Sequence, residues 1–349
     1  MTRSHRPPTL PIPLSALFPP STIPGPSRFL SSPSAALLGP LPPTSALHLA
    51  LNWLALSDLP EYEEASTKRS SKSFARVLII TGPKDGFVGP IEEDDEDWLR
   101  DHGADYGIQH RLQRVDVRYC PTSEHVLLLL NLLSLDSKAS DKEAHILRYQ
   151  PPLVIFWDLG RLLMEVVGSE ENLPPGEVSD AILQKEEMRS RRSVSLSHYM
   201  NILAAGRSAI EHLSSSAPLE ARIQLVVLEP SFRSSSSLPL IRMSGNGAAE
   251  ANMSTPIKER RVRVEAGLEW MFGGESVGRV AVAGDEGSEC PVSTKYTLTF
   301  PAHANEHFHL TRRRCEHGEW SSATALDAQD KMVEGDQGGW RWEWRDMPS

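Results

Sequence analysis

The sequence predicts an α/β fold built on a doubly wound, mainly parallel sheet. Three observations lead there. The runs "VLIIT", "LVIFW" and "IQLVVLE" are near-continuous apolar segments of strand length, the pattern of strands buried on both faces. They alternate with longer stretches that read as helices, among them "SEHVLLLLNLL" and "LSHYMNILAAGRSAIEHL". The segment "LLGPLPPTSALHLALNWLALSDL" (Leu37–Leu59) joins a short apolar strand to an apolar helix through a turn of Gly and Pro.

Each element follows from local pattern. Ser34–Leu38 reads as the first strand and Ser45–Leu59 as a helix, with apolar residues at Leu47, Leu49, Leu51, Leu54 and Leu56. Glu61–Ser73 is a polar connector, and Ala75–Gly82 is a buried strand. Pro83–Gln113 is acidic and glycine-bearing, a loop with a short helix around Asp94–Asp101. Leu112–Cys120 alternates as a strand does. Ser123–Leu135 opens on a Ser N-cap and continues as a buried helix. Pro151–Leu163 holds a strand that ends at Asp158, Arg189–Ser216 is mostly one long helix, and Ala221–Phe232 is another buried strand. "RRVRVEAGLEWMF", "GRVAVAG" and "TKYTLTFP" are alternating or β-rich and predict an antiparallel extension of the sheet edge. The resulting organisation is a Pro-rich disordered arm (1–33), a core (34–232), a flexible loop (233–259), a β-rich extension (260–320) and a loose tail (321–349).

Composition narrows the function classes. The 349 residues are 40% hydrophobic, enough for a real core. Twelve of the 27 prolines fall in the first 43 residues, which disfavours helix and sheet there, and no continuous apolar run marks a signal peptide. The longest apolar run, Val126–Leu135, is too short to span a bilayer, so no membrane partner is expected. The formal net charge of −10 confines any nucleic-acid binding to a local basic patch. Part of that acidity is "EEDDEDW" (Glu92–Trp98), which reads as a solvated loop or helix start. Three scattered cysteines form no disulfide framework and favour a reducing compartment.

The Leu37–Leu59 segment has the layout of a phosphate loop, GxxxxGK[ST]. That motif needs glycines for backbone approach, a Lys for charge and a hydroxyl for magnesium. With Gly39 aligned to the first Gly, Thr44 takes the place of the second, Ser45 replaces the Lys and Ala46 replaces the hydroxyl. Pro40, Pro42 and Pro43 each remove a backbone donor. The strand "LVIFWD" ends on Asp158, the form of an acid that helps hold magnesium. A plain strand-end Asp capping the next turn fits the same pattern. "IITGPKD" carries no Glu where a water-activating acid would stand. The expectation is a chain without ATP hydrolysis and without a resident cofactor, ATP with magnesium being the alternative.

On these features the chain resembles the RecA-like recombinase paralogues. It is most similar to the small RecA-like, SWIM-associated subunit of Shu-type complexes. The resemblance spans Ala35–Phe232. It rests on "LLGPLPPTSALHLAL", "RVLIIT", "LQRVDVRYCPTSEHVLLLLNLL", "PPLVIFWDL" and the pair "LSHYMNILAAGRSAIEHL…ARIQLVVLEPSF". It implies a RecA-like, P-loop NTPase-type core with a degenerate loop. It also implies ssDNA binding, support of recombinase filaments in homologous recombination, a SWIM-domain partner and a nuclear location. Gly39 carries over as the first loop glycine and Asp158 as the magnesium acid; the loop Lys and hydroxyl do not. Two alternatives stand beside it: a divergent DNA-dependent ATPase that borrows cations from a neighbour, and a RecA-fold scaffold that never touches DNA.

The predicted DNA contact is Ser231–Arg263, long and rich in Ser and Gly, with Arg233, Arg242, Lys258, Arg260, Arg261 and Arg263. Phe232 is placed to stack on a base. Arg189–Arg192 and Arg312–Arg314 are lesser basic clusters. His303, His307, His309, Cys315 and His317 match no zinc spacing and read as surface residues. Cys120 reads as core. Trp340, Trp342 and Trp344 alternate, which suits either a partner contact or packing on the chain's own sheet edge.

Overall fold

The computed structural model describes residues 33–57, 75–92, 106–134, 151–164, 195–215, 223–240, 260–283, 293–300, 307–314 and 340–346. The strands are β1 Ser34–Leu38, β2 Val77–Thr81, β3 Val115–Tyr119, β4 Leu153–Trp157, β5 Gln224–Glu229, β6 Ser237–Pro239 and β7 Arg261–Arg263. They continue with β8 Val277–Ala283, β9 Ser293–Thr299, β10 His307–Arg314 and β11 Trp340–Asp346. The helices are α1 Thr44–Ser57, α2 Tyr106–Leu112, α3 Ser123–Leu133, α4 Leu159–Met164, α5 Leu196–Ser215 and α6 Val264–Phe272. Residues 84–92 are helical as well.

Nine strands form one sheet in the order β11-β10-β9-β8-β1-β5-β4-β2-β3. From β3 to β8 every pairing is parallel, with Ile79 level with Val117 and Ile155, and Ala36 level with Val227 and Val277. From β8 outward, β9, β10 and β11 pair antiparallel. The α/β, mainly parallel architecture agrees with the sequence pattern. The parallel part needs crossovers, and these carry the helices.

Alternation along each strand sorts the core into two layers. Leu37, Ile79, Ile155 and Val226 meet Leu49, Ala50 and Leu54 of α1 on one face. Ala36, Leu38, Ile80, Phe156 and Val227 meet α3, α5 and α6 on the other, through Leu130, Leu203 and Leu268. Helix α5 uses the stripe Leu196, Tyr199, Leu203, Gly206 and Ile210, a helical repeat that buries one side of a helix whose other side is polar.

Several expectations change. "RRVRVEAGLEWMF" is a strand only through Arg263; the rest is α6. The Arg-Val alternation stops at Val264, and Val264, Leu268, Met271 and Phe272 then repeat at helical spacing and are buried. Strand β8 lies inside the sheet, antiparallel to β9 as expected but parallel to β1 on its other side. Part of the expected loop Pro83–Gln113 is helical, at 84–92 and in α2, while the helix expected at Asp94–Asp101 lies outside the described residues. Thr122, not Ser123, is the N-cap of α3; its hydroxyl lies 2.9 Å from His125 Nδ1. The tail includes β11, paired to β10 with Trp342 opposite Arg312. Among the described residues no helix is long and apolar enough to cross a membrane.

Candidate functional site

In open α/β sheets a ligand crevice forms at the carboxyl ends of neighbouring strands whose connections leave to opposite faces. Strands β1 and β5 are such a pair. The chain after β1 enters α1 on one face, and the chain after β5 sends Phe232, Leu238 and Val264 to the other. This is where a phosphate loop would work.

Here that crevice is sealed. The Gly39 N–H donates to the carbonyl of Glu229 at the end of β5, 3.2 Å away. Leu41 N–H donates to Gly39 O (2.7 Å), Ser45 N–H to Pro42 O (2.9 Å) and Ala46 N–H to Pro43 O (3.1 Å). Pro40, Pro42 and Pro43 have no N–H at all. Three backbone donors are thus absent at prolines and those of Gly39, Leu41, Ser45 and Ala46 are already bonded, while the side-chain oxygens of Thr44 and Ser45 are buried without a hydrogen-bond partner. The Leu41 side chain, 4% exposed, joins the core below. Gly39 has φ +124, and a Cβ there would stand 1.9 Å from the carbonyl oxygen of Val280 on β8. The glycine thus serves close approach of the turn to β8. Ala46, which stands in the magnesium-hydroxyl position, is fully buried. A nucleotide with magnesium does not fit these residues.

Asp158 lies at the end of β4, one strand from the crevice. It is the one non-glycine residue with positive φ (+51) among the described residues, a conformation Asp tolerates better than most side chains. Its N–H donates to Leu228 O (2.8 Å), and its Oδ1 is buried without a hydrogen-bond partner. Burial raises its pKa; hydrogen bonds from Ser231 and the charge of Arg161 oppose the rise.

Beside it stands an acid that sequence reasoning missed. Glu229, fully buried at the end of β5, accepts the Tyr199 hydroxyl on Oε1 (2.8 Å) and the Gly160 N–H on Oε2 (2.9 Å). Desolvation, and then the charge of Asp158, push its pKa up to about 8. The Tyr199 hydroxyl is driven well above its usual value, first by burial and then by the charge of Glu229, so it stays protonated and donates. Gly160 is required where it stands, since a Cβ would meet the Phe232 ring at 2.4 Å and Glu229 Oε2 at 2.9 Å. With its pKa raised to about 8, Glu229 keeps its proton at neutral pH beside Asp158. The ring packing around it (Tyr199 against Phe232, 5.4 Å, edge-on) is that of a core. The signal was available: "LVVLE" ends on an acid just as "LVIFWD" does.

The predicted DNA residues divide. Arg233 is exposed in a turn where its N–H donates to Ser236 Oγ (2.9 Å) and Ser236 N–H returns to its carbonyl (2.9 Å). Arg260, Arg261 and Arg263 are exposed on or beside β7, which pairs with β6 so that Ser237 faces Arg263 and Pro239 faces Arg261. Arg261 Nη2 donates to Ser237 O (2.7 Å), while Leu238 and Val262 pack inward. A two-stranded ribbon after β5 thus carries Arg261 and Arg263, with Arg260 beside it and Arg233 in the turn before it, where the sequence suggested a floppy loop. Arg242 and Lys258 lie outside the described residues. Phe232 is 2% exposed and so cannot stack on a base; it is a core ring.

The other candidates place as follows. Cys120 is buried and its thiol pKa is pushed up to about 11 by desolvation, as a core cysteine requires. His307 and His309 lie on β10, two apart, while His303, Cys315, His317 and Arg189–Arg192 lie outside the described residues. Glu92 ends the helical stretch 84–92, and the rest of "EEDDEDW" lies outside. Among the described residues no group of three His, Cys, Asp or Glu is placed to hold a metal ion. The chain matches no protein-family model and no curated protein.

Proposed function

We propose that this chain is a non-catalytic, RecA-like subunit of a nuclear homologous-recombination mediator, binding ssDNA and a SWIM-domain or recombinase partner. The observation that carries the DNA part is the ribbon after β5, with Arg233, Arg260, Arg261 and Arg263 exposed together at the carboxyl end of the sheet. Their guanidinium groups suit phosphates, and in a chain of net charge −10 such a local group of cations is what a phosphate backbone would need. The non-catalytic part is supported by the sealed crevice between β1 and β5, whose backbone donors are spent. The family part rests on the sequence resemblance together with the mainly parallel sheet.

The test is equilibrium binding of an ssDNA oligonucleotide by the purified chain across a salt series. Replacing Arg233, Arg260 and Arg261 by Ala should flatten the slope of log K against log salt by about 2, at roughly 0.7 per lost phosphate contact. At about 0.1 M salt the same loss amounts to roughly a hundredfold in affinity. An unchanged affinity and slope would exclude the ribbon. Co-purification from source cells tests the partner: a SWIM-domain protein or a recombinase should be retained.

A further inference from the structure

We infer that Trp270 is a base-stacking residue of the same nucleic-acid track, which runs from the arginine ribbon along helix α6. This inference rests on the ssDNA reading above and extends it to a residue and an element that the sequence placed in a strand.

The ribbon and the helix are one continuous piece of chain. Arg263 is both the last residue of β7 and the N-cap of α6. Arg263, Ala266 and Trp270 are spaced by three and four residues and are all exposed, so they share one solvent face. Trp270 is 82% exposed, an unusual state for the largest side chain. Seven helical residues set it about 10 Å beyond Arg263.

The acids of α6 lie off this face. Glu265 is 2% exposed and forms an ion pair with Arg279 on β8. Glu269, one turn on, also acts electrostatically on Arg279 and raises its pKa further. Arg279 thus engages the Glu265 carboxylate, and the charged residue on Trp270's own stripe is Arg263.

The platform is firm. Gly267 lets Met200 of α5 approach, its sulfur 3.0 Å from where a Cβ would be. Arg207 of α5 donates from Nη1 to Met271 O (2.7 Å), tying down the end of α6. A rigid helix presenting an aromatic ring next to a basic ribbon is the pairing that single-stranded nucleic acid uses: cations follow the backbone and the ring takes a base. A protein hot spot would set the Trp among other apolar residues. Here its stripe offers Arg263, Ala266 and Gly273.

The experiment compares the full chain with Trp270→Ala and Trp270→Phe, against an oligothymidylate and an abasic oligomer of equal length, across a salt series. Trp270→Ala should weaken oligothymidylate binding by about 5- to 150-fold, the range of one lost stacked base. It should leave both the salt slope and the abasic affinity unchanged, and Trp270→Phe should retain most of the affinity. Circular dichroism of the variants should match the parent, since the side chain is exposed. If the parent chain binds neither oligomer, the nucleic-acid reading falls and the stacking role with it. If the parent binds both and Trp270→Ala binds them equally well, the stacking role alone is overturned. If Trp270→Ala keeps DNA affinity but loses a co-purifying SWIM-domain protein, Trp270 belongs to a protein interface and the inference is wrong.

Discussion

Two turns leave the carboxyl edge of the same sheet, from neighbouring strands, and they have opposite characters. The turn after β1, Gly39–Pro43, spends its donors on itself, buries Leu41 and presses Gly39 against β8. The connection after β5 builds a turn and a ribbon that between them show Arg233, Arg260, Arg261 and Arg263 to solvent. Glu229 joins the two, because its carbonyl accepts the Gly39 N–H (3.2 Å) and the Phe232 N–H (3.3 Å). An edge that offers ligand sites in this architecture is here closed at one strand and open at the next. Position in a fold makes a site available, and whether it is used depends on which backbone and side-chain groups remain unspent.

Breaking the closed side should have the largest effect. Gly39→Ala drives a Cβ to 1.9 Å from a backbone oxygen and strains a φ of +124. A loss beyond about 4 kcal/mol, or failure to fold, is expected. A denaturant midpoint within error of the parent would show that the turn can move aside and that the seal is soft.

The residue that joins the two turns comes next. An acid whose folded pKa lies above its unfolded value keeps a proton that the unfolded chain has released, so stability falls as pH rises between the two. For Glu229 the window runs from 4.5 to about 8. Asp158, also raised, adds to the fall in the same direction at the lower end. Glu229→Gln keeps acceptor oxygen for Tyr199 or Gly160 and cannot ionise. It should remove a decline of order 3–5 kcal/mol across that window, read from unfolding titrations at pH 5 and pH 8.5. Parallel pH profiles for parent and variant would show that the carboxyl titrates normally.

The smallest effect tests the seal from outside. Pro40 is exposed, so Pro40→Ala restores one N–H with a stability change within about 1 kcal/mol. With the donors of Leu41, Ser45 and Ala46 still engaged, no retention on immobilised ATP should appear. Retention would place a working nucleotide site where the turn is drawn closed.

Much of the fold was legible because its signals are local. Ser34–Leu38 is a strand with the bounds its apolar run predicts, and Val77–Thr81, Leu153–Trp157 and Gln224–Glu229 fall inside the predicted segments. The errors came from pairing and from competing periods. Nothing in "GRVAVAG" tells that β8 would lie parallel to β1, since a partner more than two hundred residues away sets that direction. In "RRVRVEAGLEWMF" a period of two gives way to a helical period within one segment. The site was half legible. The loss of loop donors is written in the prolines, and the arginines in the chain, but the burial of Phe232 and the exposure of Trp270 depend on tertiary packing that neither ring's neighbours announce. Glu229 went unnoticed because a fully buried acid is the least expected residue of a core.

Strand β1 has one further consequence. It lies between β5 and β8, so the first of the described strands is completed only by segments made far later. From Leu38 to Gln224 the ribosome adds 186 residues, on the order of 10–40 s of synthesis. Throughout that interval the backbone N–H and C=O groups along the edges of Ser34–Leu38 lack the strands they pair with in the finished sheet. Slow translation or scarce chaperone should therefore lower the yield of folded chain before any change in the finished fold is seen.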